Sequence, residues 1–268
     1  MMMLFNESRV IVALSGGKAS AWCADWALKN YDKDRVVLYF NDTKWEHPDL
    51  YRFLDDLSAY LDHEITVDAD GRSVEEVCFD EHALANNRMP FCSRILKADR
   101  LQSFYQDGDT IVFGIGPHEP QRVNRIVGVY GLVASKKKKW PTLEFPLVTN
   151  NITPEDVDRF LKDAGIEEPE LYKLGFEHNN CSGGCVRSGK KQWALLLRVL
   201  PEVYAERERV EVEFEKRFGK KATFLKDISL KELREGIESD NTFLDKQLDL
   251  FDDDYLPGEC VGICSSMS

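Results

Sequence analysis

The feature that most restricts the fold is Val10-Ile11-Val12-Ala13-Leu14-Ser15-Gly16-Gly17-Lys18-Ala19-Ser20. Its first half is an unbroken apolar run, the pattern of a parallel strand buried on both faces. Gly16 and Gly17 make the turn, and a helix is predicted to follow, carrying Ala21, Trp22, Ala24, Trp26, Ala27 and Leu28. Such a loop directs unpaired amides, hydroxyls and the positive end of a helix dipole at one spot, which suits phosphate. Lys18 adds a movable positive charge. The Walker loop is excluded, because Val12 and Ala19 stand where it needs a glycine and a hydroxyl residue. The dinucleotide fingerprint is excluded too, since Ala19 and Ser20 occupy the place of its last glycine. A serine-capped strand–turn–helix junction would explain Gly-Gly alone. Ser-Gly-Gly-Lys-x-Ser directly after a strand favours a phosphate site.

Size and composition limit what else the chain can be. Its 268 residues can bury one good core with a smaller appendage. Apolar residues make up 43% and charged residues 31%, which suits a globular enzyme and excludes a disordered chain. No apolar run reaches membrane-spanning length, and the first eight residues lack a signal-peptide pattern, so a cytoplasmic protein is expected. A formal charge of −12 argues against a broad surface that grips nucleic acid unaided, but leaves room for a local basic channel. The seven cysteines of a cytosolic chain are expected to be ligands or redox groups rather than a disulfide framework.

A second strand, Arg35 to Phe40, ends in Asn41-Asp42-Thr43, where doubly wound sheets bind ligands. Asp42 could accept from a ribose, bind Mg²⁺, or cap the next helix, which runs through Leu61. A third strand spans Glu64 to Val67. Then Cys92, Arg94 and Lys97 fall within about one and a half helical turns, which would set a thiol among two cations and favour thiolate. The fourth strand, Thr110 to Gly116, carries Gly114 and leads to Arg122 and Arg125, candidates to neutralise phosphate oxygens. Lys136 to Lys139 could touch a nucleic acid backbone, but such a run is more often a solvated loop. Thr153-Pro154-Glu155-Asp156 starts another helix. A long charged helix is expected from Pro201 to Phe218.

Two cysteine pairs stand out. Cys181 and Cys185 flank Ser-Gly-Gly, and Cys260 and Cys264 flank Val-Gly-Ile. Glycine inside such a loop lets two sulfurs converge and amides reach a cluster. With Cys92 these make five thiols able to converge, enough for an iron–sulfur cluster or a structural zinc. The spacing favours iron–sulfur, because zinc pairs more often use Cys-x-x-Cys. Cys23 and Cys78 sit among apolar residues and are expected in the core.

The phosphate loop resembles the Ser-Gly-Gly-x-Asp-Ser signature of the PP-loop, or adenine nucleotide α-hydrolase, family, with Ala19 in place of its Asp. Asp42-Thr43 onward, Cys92 with its Lys-bearing helix, Gly114 to Arg122, Pro146-Leu147, Thr153 to Val157, Leu171 to Phe176 and the pair Cys181 and Cys185 follow the order of phosphoadenosine phosphosulfate (PAPS) reductases. The resemblance covers approximately residues 9 to 198. It implies an α/β fold with a doubly wound, mostly parallel sheet over residues 1–150 and a helical C-terminal region over 151–268. It is strongest toward PAPS-reductase-like ATP pyrophosphatases of DNA phosphorothioation. That implies ATP and Mg²⁺, a cysteine desulfurase as partner, and DNA (or tRNA) delivered within a complex; a homodimer and no membrane are expected. Ser15, Gly16, Gly17, Lys18 and Ser20 would hold pyrophosphate, with Asp42, Gly114 and Arg122 around the nucleotide. Cys92, Cys181, Cys185 and Cys260 would hold a [4Fe-4S] cluster, with zinc as the alternative, and Cys264 would relay sulfur. Other readings implied are a PAPS reductase acting through Cys260, a tRNA thiolation enzyme and a non-catalytic nucleotide sensor.

Overall fold

A computed structural model describes residues 8–240 and Phe243; Cys260 and Cys264 lie outside the described residues. Five strands form one sheet in the order β3-β2-β1-β4-β5, with every neighbouring pair parallel. They are β1 (Val10–Leu14), β2 (Val36–Asp42), β3 (Ile65–Ala69), β4 (Thr110–Phe113) and β5 (Thr142–Glu144). The side-chain period of two divides β1 between two cores. Val10, Val12 and Leu14 face helices α1 (Lys18–Asn30), α2 (Pro48–Leu61) and α8 (Pro154–Ala164). Ile11 and Ala13 face the other layer, where α5 (Asp99–Phe104) and α6 (Pro120–Lys137) pack. The apolar run therefore fills both sides of a doubly wound α/β sheet.

The chain passes from β1 outward to β2 and β3, then returns to place β4 on the other side of β1. The crevice at the ends of β1 and β4 is thus a topological switch point, where open α/β sheets bind ligands. Gly114 lets the layers close there. A Cβ at Gly114 would lie 2.7 Å from the Ser20 amide nitrogen, so any other residue would push α1 off the sheet.

A third core joins elements far apart in sequence. It takes Trp45, residues of α3 (Val74–Asp80) and Cys92 on α4 (Phe91–Ser93), and packs them on residues 171–233. The latter segment supplies α9 (Glu170–Lys173), α10 (Lys190–Val199), α11 (Pro201–Phe218) and α12 (Leu230–Ser239), completing the helical C-terminal region. A short α7 (Pro146–Thr149) lies between β5 and α8. Cys23 and Cys78 are fully buried, as core cysteines should be. Among the described residues no helix is long and apolar enough to cross a membrane.

Two local expectations change. Lys136 and Lys137 form the last turn of α6 rather than a loop, and Lys138 is its left-handed cap (φ 54°). The preceding acid-free residues extend the helix into the lysine run. In addition, a π-helical turn over Arg94–Ala98 follows α4. It buries Lys97 beside the thiols and leaves Arg94 outside, exposed and paired with Asp99 at 3.3 Å.

Candidate functional site

The phosphate loop is held open by its own hydroxyls. Gly16 adopts φ 78°, and a Cβ there would strike Leu50 of α2 at 2.6 Å, so glycine is required twice over. Ser20 Oγ accepts from the Ser15 amide (3.1 Å), donates to the Gly17 carbonyl (2.9 Å) and meets Ser15 Oγ at 3.1 Å. The Gly17 amide donates to Ser15 Oγ at 3.3 Å. Gly17 caps α1 with no side-chain partner for the helix. The first turn of α1 therefore presents its amides toward the crevice without a competing cap.

Beside the loop lies a cavity of about 360 Å³ whose lining includes Lys18, Gly114, Gly116, Glu119 and Arg122. Asp158, Tyr172, Glu177 and His178 line it as well. The volume lies within the range of small-molecule sites. Lys18 Nζ binds Asp158 (2.6 Å) and Glu168 (3.2 Å) and sits 4.6 Å from the centre of the Tyr172 ring. Burial works against its charge, but both carboxylates outweigh that and raise its pKa. Arg122 is buried at the cavity wall and pairs with Glu119. Arg125 lies exposed one turn further along α6.

Asp42 does not cap α2; His47 Nδ1 does, accepting from the Asp49 amide at 3.3 Å. Asp42 is 5% exposed and accepts instead from the Lys44 amide (2.8 Å), Lys44 Nζ (2.9 Å) and Tyr51 Oη (3.0 Å). Burial alone would raise its pKa, but these donors hold the carboxyl below the usual range.

Cys92, Cys181 and Cys185 line one buried pocket with Thr43, Ser93, Lys97 and Arg187. The loop carrying the pair turns left-handed at Cys181 (φ 49°), Ser182 (φ 53°) and Gly183 (φ 79°). The first two are strained for residues with a side chain, a cost the surroundings must offset. Three contacts do so. The Cys181 amide donates to Glu46 Oε2 (2.8 Å), Ser182 Oγ donates to the Trp45 carbonyl (3.0 Å), and Asn179 Nδ2 donates to the Gly16 carbonyl (2.8 Å). The last contact ties the cysteine loop directly to the phosphate loop.

Glu46, its side chain wholly buried, also accepts from Thr43 Oγ1 (2.8 Å) and from Lys97 Nζ (3.4 Å). Arg207 of α11 lies under the cysteine loop, its guanidinium 3.6 Å from the centre of the Trp45 ring. Burial lowers its pKa, while the nearby Cys181 works the other way. The thiol of Cys181 is pushed well above its ordinary value by its hydrogen bond with Cys185, by burial and by the Glu46 charge.

Among the described residues no group of three His, Cys, Asp or Glu side chains is arranged to hold a metal ion. The surroundings of the thiols nonetheless suit an anionic group. Arg207 Nε, Trp193 Nε1 and Ser188 Oγ, all able to donate, are buried with no hydrogen-bond partner among the described residues. Such orphans are rare, and several near one loop indicate a site whose partners come with a bound group. Three thiols, buried cations and orphaned donors are the chemistry that an iron–sulfur cluster or another thiolate-bound centre needs.

The structure brings Cys92, Cys181 and Cys185 together as the sequence suggests, but sequence reasoning missed Glu46, Asn179 and Arg207. Arg207 belongs to a charged stretch that reads as a solvated helix face, and nothing local distinguishes it from its neighbours.

A comparison with individually curated proteins finds no match to this sequence. A comparison with protein families matches residues 9–189, well over half of the chain, to the phosphoadenosine phosphosulfate reductase domain. Members of that family are enzymes acting on adenosine nucleotides in sulfur chemistry. The match begins at the residue before β1 and ends just before α10, so it encloses both the phosphate loop and the cysteine loop. The chain belongs to the phosphoadenosine phosphosulfate reductase domain family.

Proposed function

We propose that this protein is an ATP pyrophosphatase that adenylates a backbone phosphate of a nucleic acid, DNA in the first instance, for replacement of oxygen by sulfur. The observation that carries this reading is the Asn179–Gly16 hydrogen bond, which sets a three-thiol pocket against a loop built for phosphate. A non-bridging phosphate oxygen of the substrate attacks the α-phosphorus of ATP, and pyrophosphate leaves. Sulfur carried as a cysteine persulfide then attacks the substrate phosphorus, and AMP departs with that oxygen. A second thiol attacks the carrier's sulfur, forming a disulfide and leaving the terminal sulfur on phosphorus. Activation matters because oxide is a poor leaving group and AMP a good one.

Ser15, Gly16, Gly17, Lys18 and Ser20 bind the departing pyrophosphate, and Arg122 lines the same cavity as Lys18. Lys18 reaches it by exchanging Asp158 and Glu168 for phosphate oxygens. Mg²⁺ accompanies the triphosphate. Cys92, Cys181 and Cys185, with Cys260 as fourth ligand, would hold a [4Fe-4S] cluster, or zinc in the alternative. A bound cluster would supply a sulfide-rich centre beside the nucleotide; Cys264 relays sulfur from a cysteine desulfurase.

A second reading, a reductase that takes sulfur from PAPS through Cys260, is favoured by the family match itself. One experiment separates them. Anaerobic protein is given ATP, a persulfide-loaded cysteine desulfurase and either DNA or tRNA. Pyrophosphate and AMP are measured, and the nuclease digest is analysed by mass spectrometry. Phosphorothioate linkages in DNA are expected, and a thiolated base in tRNA would redirect the substrate. Thiol-dependent sulfite release from PAPS, with no pyrophosphate from ATP, would overturn the proposal.

A further inference from the structure

Residues 120–143 contain no Asp or Glu, in a chain that carries 47, yet hold two arginines and four lysines. This stretch is α6 and its exit. Its buried side (Arg122, Ile126, Tyr130 and Ala134) faces the sheet. On the opposite side Gln121, Arg125, Gly128, Leu132 and Lys136 recur at spacings of three and four, all exposed, and so form one stripe. Arg125, Lys136, Lys137 and Lys138 make no ion pair with any described residue. Other helices of this acidic protein carry carboxylates among their cations and pair some of them, as Arg52, Arg159, Arg209 and Arg234 illustrate.

The middle of the stripe is smooth. A Cβ at Gly128 or Gly131 would meet nothing within 4 Å, so neither glycine is needed for packing. Each costs an exposed helix about 1 kcal/mol relative to alanine. What they offer is close approach of another backbone to α6. The N-terminal end of α6 lies at the nucleotide cavity, since Glu119 and Arg122 line it.

The geometry points to α6 as the track along which a nucleic acid strand lies as it enters the nucleotide cavity; this rests on the nucleic acid substrate proposed above. The 18 residues of α6 span about 27 Å at about 1.5 Å each. A strand presents one phosphate per ~3.4 Å, so the helix can face about eight of them. Arg125 lies toward the end of α6 that meets the cavity, and the three lysines lie at the far end. Trp140, 60% exposed just beyond them, offers a ring on which a base can stack, its backbone amide held by Asp107 at 2.7 Å.

The test uses the full-length protein and fluorescein-labelled single-stranded DNA, duplex DNA and tRNA. Binding is followed by anisotropy from 50 to 200 mM salt, with ATP pyrophosphate release measured in parallel. The variant is Lys136→Gln, Lys137→Gln, Lys138→Asn, the asparagine chosen because it accepts the left-handed cap. At least tenfold weaker binding is expected, with a slope of log affinity on log salt flatter by about one for each phosphate no longer neutralised. Melting temperature should be unchanged, as should pyrophosphate release at saturating nucleic acid, while the nucleic acid concentration that gives half the maximal release should rise in step with the weaker binding. The three ligands distinguish which nucleic acid uses the track. Unchanged affinity and slope in the variant would overturn the inference, as would absence of binding by wild type at 50 mM salt. Loss of desulfurase capture with intact nucleic acid binding would assign the face to a protein partner and also overturn it. Failure of pyrophosphate release alone would sink the proposed reaction and leave the track standing.

Discussion

At Lys18 one side chain answers two sets of anions. In this structure it neutralises Asp158 and Glu168, both partly exposed, so losing that pair costs at most about 1 kcal/mol of stability. Ser20 is different, because its hydroxyl satisfies the buried Ser15 amide, and removing it costs about 1–3 kcal/mol. The double variant Lys18→Ala, Ser20→Ala should still unfold cooperatively, at a lower temperature. Its ATP affinity should fall at least tenfold, since charge-assisted bonds to phosphate are worth about 1.5–3 kcal/mol each. Equal ATP affinity by calorimetry in the two proteins would remove the loop from the nucleotide site. Ala19 bears on the same point. The hydroxyls organise the loop from within, and that organisation does not require an acidic side chain at position 19.

Among the elements, α11 shows how a charged helix can be structural. Glu211 is buried and accepts from the Phe224 and Leu230 amides, each at 2.8 Å, pinning the segment that leads into α12. Burial raises its pKa to about 7 against those two stabilising bonds, with Glu208 and Glu232 adding to the rise. The folded value exceeds the unfolded one, so the folded state holds the extra proton between pH 4.5 and about 7. That contribution is complete below the unfolded pKa and is lost as pH rises through the folded one. Wild type should therefore lose on the order of 3 kcal/mol relative to Glu211→Gln between pH 5 and pH 8. Urea denaturation of both proteins across that range measures it. Parallel stability curves for the two proteins would show that Glu211 does not titrate in this window.

At the scale of the whole molecule, the cysteine centre is built from three separate parts of the chain. Glu46 and Lys97 come from the sheet region, Cys181 and Cys185 from a loop beyond it, and Arg207 from α11. A centre assembled in this way should fail as a unit when an anchored thiol is lost. Cys181→Ser is expected to abolish both metal content and sulfur transfer. Cys264→Ser should keep ATP binding and most of the metal while losing transfer. Anaerobic purification with iron and zinc analysis checks this, with about four irons per chain expected for a cubane cluster. Stoichiometric zinc without iron would decide for the structural alternative. Full iron in Cys181→Ser would exclude that residue as a ligand.

The sequence by itself determined the parallel sheet, the glycine turn between β1 and α1, and the loop that holds Cys181 close to Cys185. These are local matters: a short apolar run rich in β-branched residues and closed by Gly-Gly has the pattern of a strand covered on both faces and followed by a turn. The capping box at Thr153, with Asp156 returning to the Thr153 amide at 3.0 Å, was legible for the same reason. What the tertiary structure alone decided is which charges are buried. Glu46, Lys97 and Arg207 lie in runs of ordinary charged residues, and Lys97 faces the thiols only because a π-helical turn rotates it inward and Arg94 outward. Burial of a charge depends on what packs over it from elsewhere in the chain, here the Cys181 loop over Trp45 and Glu46. No local pattern encodes that contact, because its two sides lie 135 residues apart.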